Sequence, residues 1–266
     1  MKFLYDFLKL IPKWKVITYK QLGEIFNLHP RKVALILKQN TKQNEYPCYK
    51  VVNSDLTIGG YNLWEKEKIN RLLKDNIQII NNKISSENIW KPKFKNFFCA
   101  FPLEGLQKEN FQKLVNELEK INNNSFSLQK ADTPHITLRF FWDLSLENFH
   151  KIIESSKNLK INKKIYITLS NINNFNQKVY FYKPDSRKEL ESIYLKFNEI
   201  NNLSPENREY NPHLTLFRVK NIEQLPLDKI YKITEKYKCF INLNTIRFYL
   251  AVDNDFQIPI ADVYLY

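Results

Sequence analysis

Three residue types are scarce in this 266-residue chain: 4 glycines, 3 cysteines and 1 methionine. The cysteines, Cys48, Cys99 and Cys239, are odd in number, far apart and without a C-x-x-C pair. That excludes a disulfide framework and a cysteine-rich zinc site as organising principles. No run of about 18 apolar residues occurs, so a membrane-spanning helix is not expected. The first residues, Met1-Lys-Phe-Leu-Tyr-Asp, lack the apolar core of a secretion signal. A soluble, cytoplasmic protein with no membrane partner is expected. What is present is substantial: a 43 % hydrophobic fraction, enough to bury a core and to exclude wholesale disorder, and a formal charge of +13. An excess of that sign suits a polyanionic partner.

The charge is uneven. Residues 1–92 hold 16 Lys/Arg and 8 Asp/Glu, a balance of +8; the remainder hold 25 and 20, a balance of +5. The shorter part is therefore the more basic per residue. Between about residues 76 and 95 the text is rich in Asn, Ser and Ile and lacks a sustained helical or strand period, which reads as a connector ending near Trp90-Lys-Pro92. We expect a first domain over 1–80, a linker over 81–92 and a second domain over 93–266.

The first part reads as mostly helical. Phe3, Leu4, Phe7 and Leu8 recur at helical spacing and stop before Pro12; Thr18 is placed to cap a helix from Tyr19 to Phe26; Pro30 opens another that ends before Asn40. Two short helices joined by Asn27-Leu28-His29 make a helix-turn-helix outline. In the second part, β-like runs (96–101, 135–141, 165–169, 178–182, 213–219, 244–252) alternate with helical runs (107–121, 146–155, 187–199), which predicts an α+β domain on antiparallel sheets.

One short text occurs twice: Pro134-His135-Ile136-Thr137-Leu138 and Pro212-His213-Leu214-Thr215-Leu216. In a strand, His135, Thr137 and Arg139 share one face, with Ile136, Leu138 and Phe140 on the other. An imidazole and a hydroxyl two residues apart on one face reach neighbouring atoms of one small group. Two such pairs suit acid–base work on a phosphodiester, with the hydroxyls donating to its non-bridging oxygens. A metal site is the rival reading, but no Asp, Glu or Cys stands at ligand spacing near both motifs, so neither metal nor cofactor is expected.

With Asn96-Phe-Phe98-Cys-Ala-Phe-Pro102 and the closing Arg247-Phe-Tyr-Leu, these motifs make residues 93–266 resemble the 2H phosphoesterases, most closely the RNA 2′,3′-cyclic phosphodiesterase (2′-5′ RNA ligase) branch. The resemblance implies a two-lobed fold of antiparallel sheets with flanking helices, one motif per lobe. It also implies metal-independent opening of a 2′,3′-cyclic phosphate to a 2′-phosphate, on RNA carrying that end or a 2′-5′ linkage. Carried over, His135 and His213 are the catalytic pair in either order, with His213 taken as base and His135 as acid. Thr137 and Thr215 hold phosphate oxygens. Arg218 matches a family arginine near the phosphate, although strand alternation sets it opposite His213. Phe98 is open to base stacking or to core packing.

Residues 11–75 carry a second resemblance. Ile11-Pro12, Thr18-Tyr19, Pro30-Arg31, Asn40, Pro47-Cys48-Tyr49-Lys50-Val51-Val52 and Ile58-Gly59-Gly60-Tyr61 resemble the DNA-binding and active-site domain of alkylguanine-DNA alkyltransferases and alkyltransferase-like proteins. The resemblance implies a small winged-helix-like domain that binds DNA or RNA. Tyr19 and Arg31 fall on nucleic-acid contacts, Gly59 and Gly60 on the pocket loop, and Cys48 on the alkyl acceptor. Two departures stand out: Tyr49 replaces the family histidine, and Asn76 falls where a glutamate is expected. A thiol without that base is a poor nucleophile. The function expected is a cyclic phosphodiesterase with a nucleic-acid-binding module; the alternative is a DNA alkylation-damage binding or repair protein acting through the first domain.

Overall fold

The computed structural model of the chain describes residues 2–161, 164–200, 203, 208–252 and 256–265. It divides into two compact units: Met1–Lys95 with Ser145–His150 and Leu250–Ala261, and Asn96–Leu144 with Lys151–Tyr249 and Asp262–Tyr266.

The first 95 residues hold α1 (Lys2–Leu8), β1 (Ile17–Thr18), α2 (Tyr19–Phe26), α3 (Pro30–Lys38), β2 (Val51–Val52), α4 (Glu65–Lys74), β3 (Ile79–Ile80) and β4 (Lys83–Ile84). Thr18 caps α2 through a reciprocal capping box with Gln21. The helix-turn-helix bend needs Gly23, where a Cβ would stand 2.4 Å from the Leu28 carbonyl oxygen. Short β1 and β2 pair in parallel, Ile17 with Val51 and Thr18 with Val52, bringing the residues after Cys48 against the start of α2. Beneath them Val16, Val52, Ile58, Leu72, Ile77 and Ile84 form a core cluster. The stretch expected as a linker, 81–92, carries ordered structure of its own. Strands β3 and β4 form a small hairpin, Ile84 is in the core cluster, and Val16 exchanges backbone bonds with the stretch, its N–H donating to the Asn88 carbonyl and its carbonyl accepting from Trp90 N–H. Its apolar residues found a core to bury in, which overrides their lack of period.

Then come β5 (Phe94–Pro102), α5 (Gly105–Lys120), β6 (Phe126–Leu128), β7 (His135–Phe141), α6 (Leu146–Ser156), β8 (Tyr166–Phe175), β9 (Val179–Pro184), α7 (Lys188–Asn198), β10 (Leu214–Val219), α8 (Leu227–Lys236), β11 (Cys239–Asn242), β12 (Thr245–Val252) and β13 (Phe256–Tyr264). The sheet order is β11-β8-β9-β10-β7-β5-β12-β13, with β6 added on β10. The two motif-bearing strands are neighbours at its middle. They pair at Leu214 and Ile136, after which β6 replaces β7 beside β10 and runs antiparallel to it: Phe217 opposite Leu128, Arg218 opposite Ser127, Val219 opposite Phe126. Helix α5 buries Phe111, Leu114 and Leu118, spaced by three and four. No helix among the described residues is long and apolar enough to cross a membrane.

Alternation along the motif strands breaks at the same place in both. On β5, consecutive Cys99 and Ala100 pair with Arg139 and Thr137, leaving Leu138 extra; on β9, Phe181 and Tyr180 face Thr215 and Phe217, leaving Leu216 extra. Each extra residue is a β-bulge, and beyond it the side chains change faces. The expectation that Arg139 shares a face with His135 and Thr137 is therefore corrected. Arg139 is buried and donates to Asn198 Oδ1, while Phe140 takes the place beside Phe98, 5.4 Å between ring centroids.

Candidate functional sites

In the second unit, the bulge in β10 removes the parity objection to Arg218. Its side chain is exposed and its positive charge acts on His213, holding that imidazole below its ordinary value together with burial, the larger effect. The two histidines are set alike. Nδ1 of His135 donates to the Thr133 carbonyl (2.6 Å), and Nδ1 of His213 donates to the Asn211 carbonyl (2.7 Å). A carbonyl only accepts, so each ring proton sits on Nδ1 and each Nε2 is left with a lone pair to take a proton. Each ring is wedged by aromatics: Phe98 (5.2 Å) and Tyr249 (5.4 Å) against His135, Phe175 and Phe181 (both 5.0 Å) against His213. Burial pushes His135 down to about 4, with the neighbouring His213 adding to the shift. Both imidazoles are thus poised neutral near pH 7, and the two feel one another electrostatically. Thr137 and Thr215 are half-buried on the same strand faces as their histidines.

Phe98 is fully buried and stacked on Tyr249 (4.7 Å, 4°), so it supports His135 from below. Phe175 and Phe181 were not foreseen. They border a recess of about 190 Å³ with Asn173, Asn174, Lys183 and Arg187. Phe175 closes β8 and Phe181 sits in the run Tyr180-Phe181-Tyr182 of β9, and neither carries a pattern that separates it from core residues.

In the first unit, all five residues expected there meet. Tyr19, Arg31, Cys48, Gly59 and Gly60 line one cavity of about 750 Å³, with Lys20, Lys38 and Tyr61. Helices α2 and α3 deliver Tyr19 and Arg31; the turn before β2 delivers Cys48. Gly59 adopts φ +70°, and a Cβ there would press the Asn53 side chain at 3.1 Å; at Gly60 nothing lies within 4 Å, so only the first glycine is demanded by the backbone.

The cysteine is held as a thiol. Asn40 Nδ2 donates to its sulfur at 2.8 Å, yet burial pushes Cys48 up to about 11. Tyr49 donates to Asp75 Oδ2 (2.8 Å), and Lys50 Nζ lies 3.0 Å from the same oxygen. The carboxylate partner of the residue after the cysteine is thus Asp75, one position before Asn76, where the sequence pattern placed it. Tyr49 is driven above the usual phenol range by burial and by that carboxylate, so it stays a neutral donor rather than a base. Lys50 also donates to the carbonyls of Ile11, Pro12 and Lys13, work that ties it to the turn after α1.

Lys68 was missed. It is fully buried on α4 and donates to the carbonyls of Val51 and Ile58 (2.6 Å each) and Gly60 (3.4 Å), tying the strand after Cys48 to the glycine loop. Burial lowers it to about 7. In the sequence it hides in the charged run Glu65-Lys-Glu-Lys; its signal is a position four residues before buried Leu72, on the apolar stripe.

Residues 2–77 match the family model described as 6-O-methylguanine DNA methyltransferase, DNA binding domain, and residues 103–180 match that described as LigT like Phosphoesterase. Tyr19, Arg31, Cys48, Gly59 and Gly60 fall inside the first match and His135 and Thr137 inside the second; His213, Thr215 and Arg218 lie beyond it. A bifunctional methyltransferase/endonuclease of Picrophilus torridus is 38 % identical over 109 residues, 40 % of this chain and 36 % of that protein. A protein of the same description from Thermoplasma volcanium is 35 % identical over 116 residues, 42 % of this chain and 36 % of that protein. The matched region spans about a third of the length of these curated relatives. The solved structure of E. coli LigT in apo form covers 66 % of this chain and 98 % of its own at 15 % identity, with a TM-score of 0.50, a likeness of fold.

Proposed function

From a chain that joins a 6-O-methylguanine DNA methyltransferase-type DNA-binding domain to a LigT-like phosphoesterase domain, we propose a phosphodiesterase that opens RNA 2′,3′-cyclic phosphates to 2′-phosphates. The observation that carries this reading is the matched tautomer of the two motif histidines, each with Nδ1 pinned to the carbonyl two residues back. One Nε2 takes a proton from water, whose oxygen attacks phosphorus. The P–O3′ bond breaks, and the other imidazole, protonated, delivers its proton to the departing 3′ oxygen. Thr137, Thr215 and Arg218 hold the non-bridging oxygens as charge builds. Burial makes His135 the harder ring to protonate, which favours it as the base and His213 as the acid, the reverse of the order carried from the resemblance. The bound phosphate anion raises both, supplying the protonated acid the step needs.

The test is turnover of a nucleoside 2′,3′-cyclic phosphate in the presence of chelator. His135→Ala and His213→Ala should each lose roughly 10²–10⁴-fold in kcat. Unimpaired turnover by both variants, or full dependence on added metal, sinks the reading.

For the first domain we propose nucleic-acid binding at the Cys48 cavity without alkyl transfer. The protonated thiol, the neutral Tyr49 and the basic lining (Lys20, Arg31, Lys38) support binding over nucleophilic chemistry. Incubation with an alkylguanine-containing oligonucleotide followed by intact mass checks it: a mass gain on Cys48 favours repair instead.

A further inference from the structure

Trp64 stands where the backbone asks for glycine. Its φ and ψ, 71° and 150°, lie in a region that only glycine enters without strain. It is also the residue at the N-terminal cap of α4, its carbonyl accepting from Lys68 N–H, and its indole makes no capping bond to the free amides there. Burial does not offset these defects. The residue is 82 % exposed, the most exposed large apolar residue among those described, and its indole has no ring, cation or hydrogen-bond partner among them. Local physics therefore opposes tryptophan at this position on three counts, and nothing in the fold compensates.

Its place explains it. The segment Gly59–Asn62 lines the Cys48 cavity, and Asn62 Nδ2 donates to the carbonyls of Lys38 (2.6 Å), Asn40 (3.3 Å) and Leu37 (3.4 Å), pinning this loop to the end of α3. Trp64 follows Asn62 by two residues, just beyond the loop that lines the cavity. The lining of that cavity is basic, Lys20, Arg31 and Lys38 against Asp55. A basic cavity followed in the chain by an exposed indole fits a polyanion that also presents flat apolar faces. Nucleic acid has both.

We infer that Trp64 is a nucleic-acid contact residue, a platform just beyond the loop of the Cys48 cavity on which an unstacked base of the bound strand lies. This rests on the nucleic-acid-binding reading of the first domain. The strained backbone is the cost of presenting an indole there, and glycine would relieve it while removing the platform.

The experiment uses the full chain and a short fluorescein-labelled oligonucleotide, single-stranded and duplex, read by anisotropy at fixed salt, alongside thermal melting. Trp64→Gly should bind about tenfold to a hundredfold more weakly, with a Tm equal to or above wild type, and Trp64→Phe should keep most of the affinity. Unchanged affinity in Trp64→Gly, or affinity lost together with Tm, overturns the inference. Arg31→Glu separates it from the reading beneath: if that variant weakens binding and Trp64→Gly does not, only the platform fails. If wild type does not bind, or Arg31→Glu binds as wild type does, the cavity reading fails and the platform with it.

Discussion

In the proposed reaction, two histidines with the same proton on the same nitrogen carry the chemistry of the second unit, and their environment sets the pH at which they can act. His135 is held near 4, below the 6.5 of a free imidazole, so between those values the unfolded chain takes up a proton that the folded chain refuses. Stability should fall as pH drops from about 6.5 toward about 4 and be flat above, by at most about 3 kcal/mol. His135→Gln should flatten that slope in urea titrations run across this range. The same variant should lose the rising limb of the pH–rate profile if His135 is the base. At Cys48 the direction is opposite: with the thiol near 11, reaction with iodoacetamide should be slow at pH 7.5 and climb about tenfold per pH unit up to about pH 10, as followed by intact mass. Fast labelling at neutral pH would restore the case for a nucleophile. Cys99 and Cys239 are buried too, so the labelled peptide must be identified.

At the scale of elements, most of the sheet and helix pattern was legible, and so was the doubled motif, because alternation and helical spacing are local. The bulges were not. Whether Leu138 and Leu216 are paired or extra depends on β5 and β9, strands distant in sequence, and no residue inside either motif announces it. The consequence was a misplaced Arg139 and an undervalued Arg218. Swapping both to methionine separates their roles. Arg139→Met should lower stability by about 1–3 kcal/mol through the abandoned Asn198 with little change in KM or kcat. Arg218→Met should leave Tm nearly unchanged and reduce kcat/KM by about tenfold or more. Helix α4 was also illegible, since its buried face is carried by Lys68 beside Leu72 and its polar run reads as solvent-facing. Lys68→Met strips donors from three carbonyls, and a loss of about 2–4 kcal/mol in denaturant unfolding is expected.

For the whole molecule, the +13 charge predicts that the proposed nucleic-acid binding is salt-dependent. Binding through the Lys20, Arg31 and Lys38 lining should weaken on raising salt from 50 to 200 mM, with about one unit less slope on a log–log plot in Arg31→Ala. The scarcity of glycine has its own answer across the chain. Among the described residues, ten other than glycine take positive φ: Asn27, Leu56, Trp64, Asn76, Asn81, Asn82, Asn124, Asp143, Asn176 and Gln177. Asparagine dominates because its short amide tolerates the left-handed region. In the terms of the genetic code, asparagine and glycine codons differ at both leading bases, so no single base change exchanges them. The direct intermediates are aspartate, which tolerates such turns, and serine, which tolerates them less well. A turn built on asparagine can therefore reach glycine by an aspartate step that keeps its shape, and Asp143 shows aspartate accepting positive φ in this chain. Tryptophan's TGG is one base change from glycine's GGG, whereas leucine's codons are two away, so at Trp64 glycine is a single step off and tryptophan is the more informative choice.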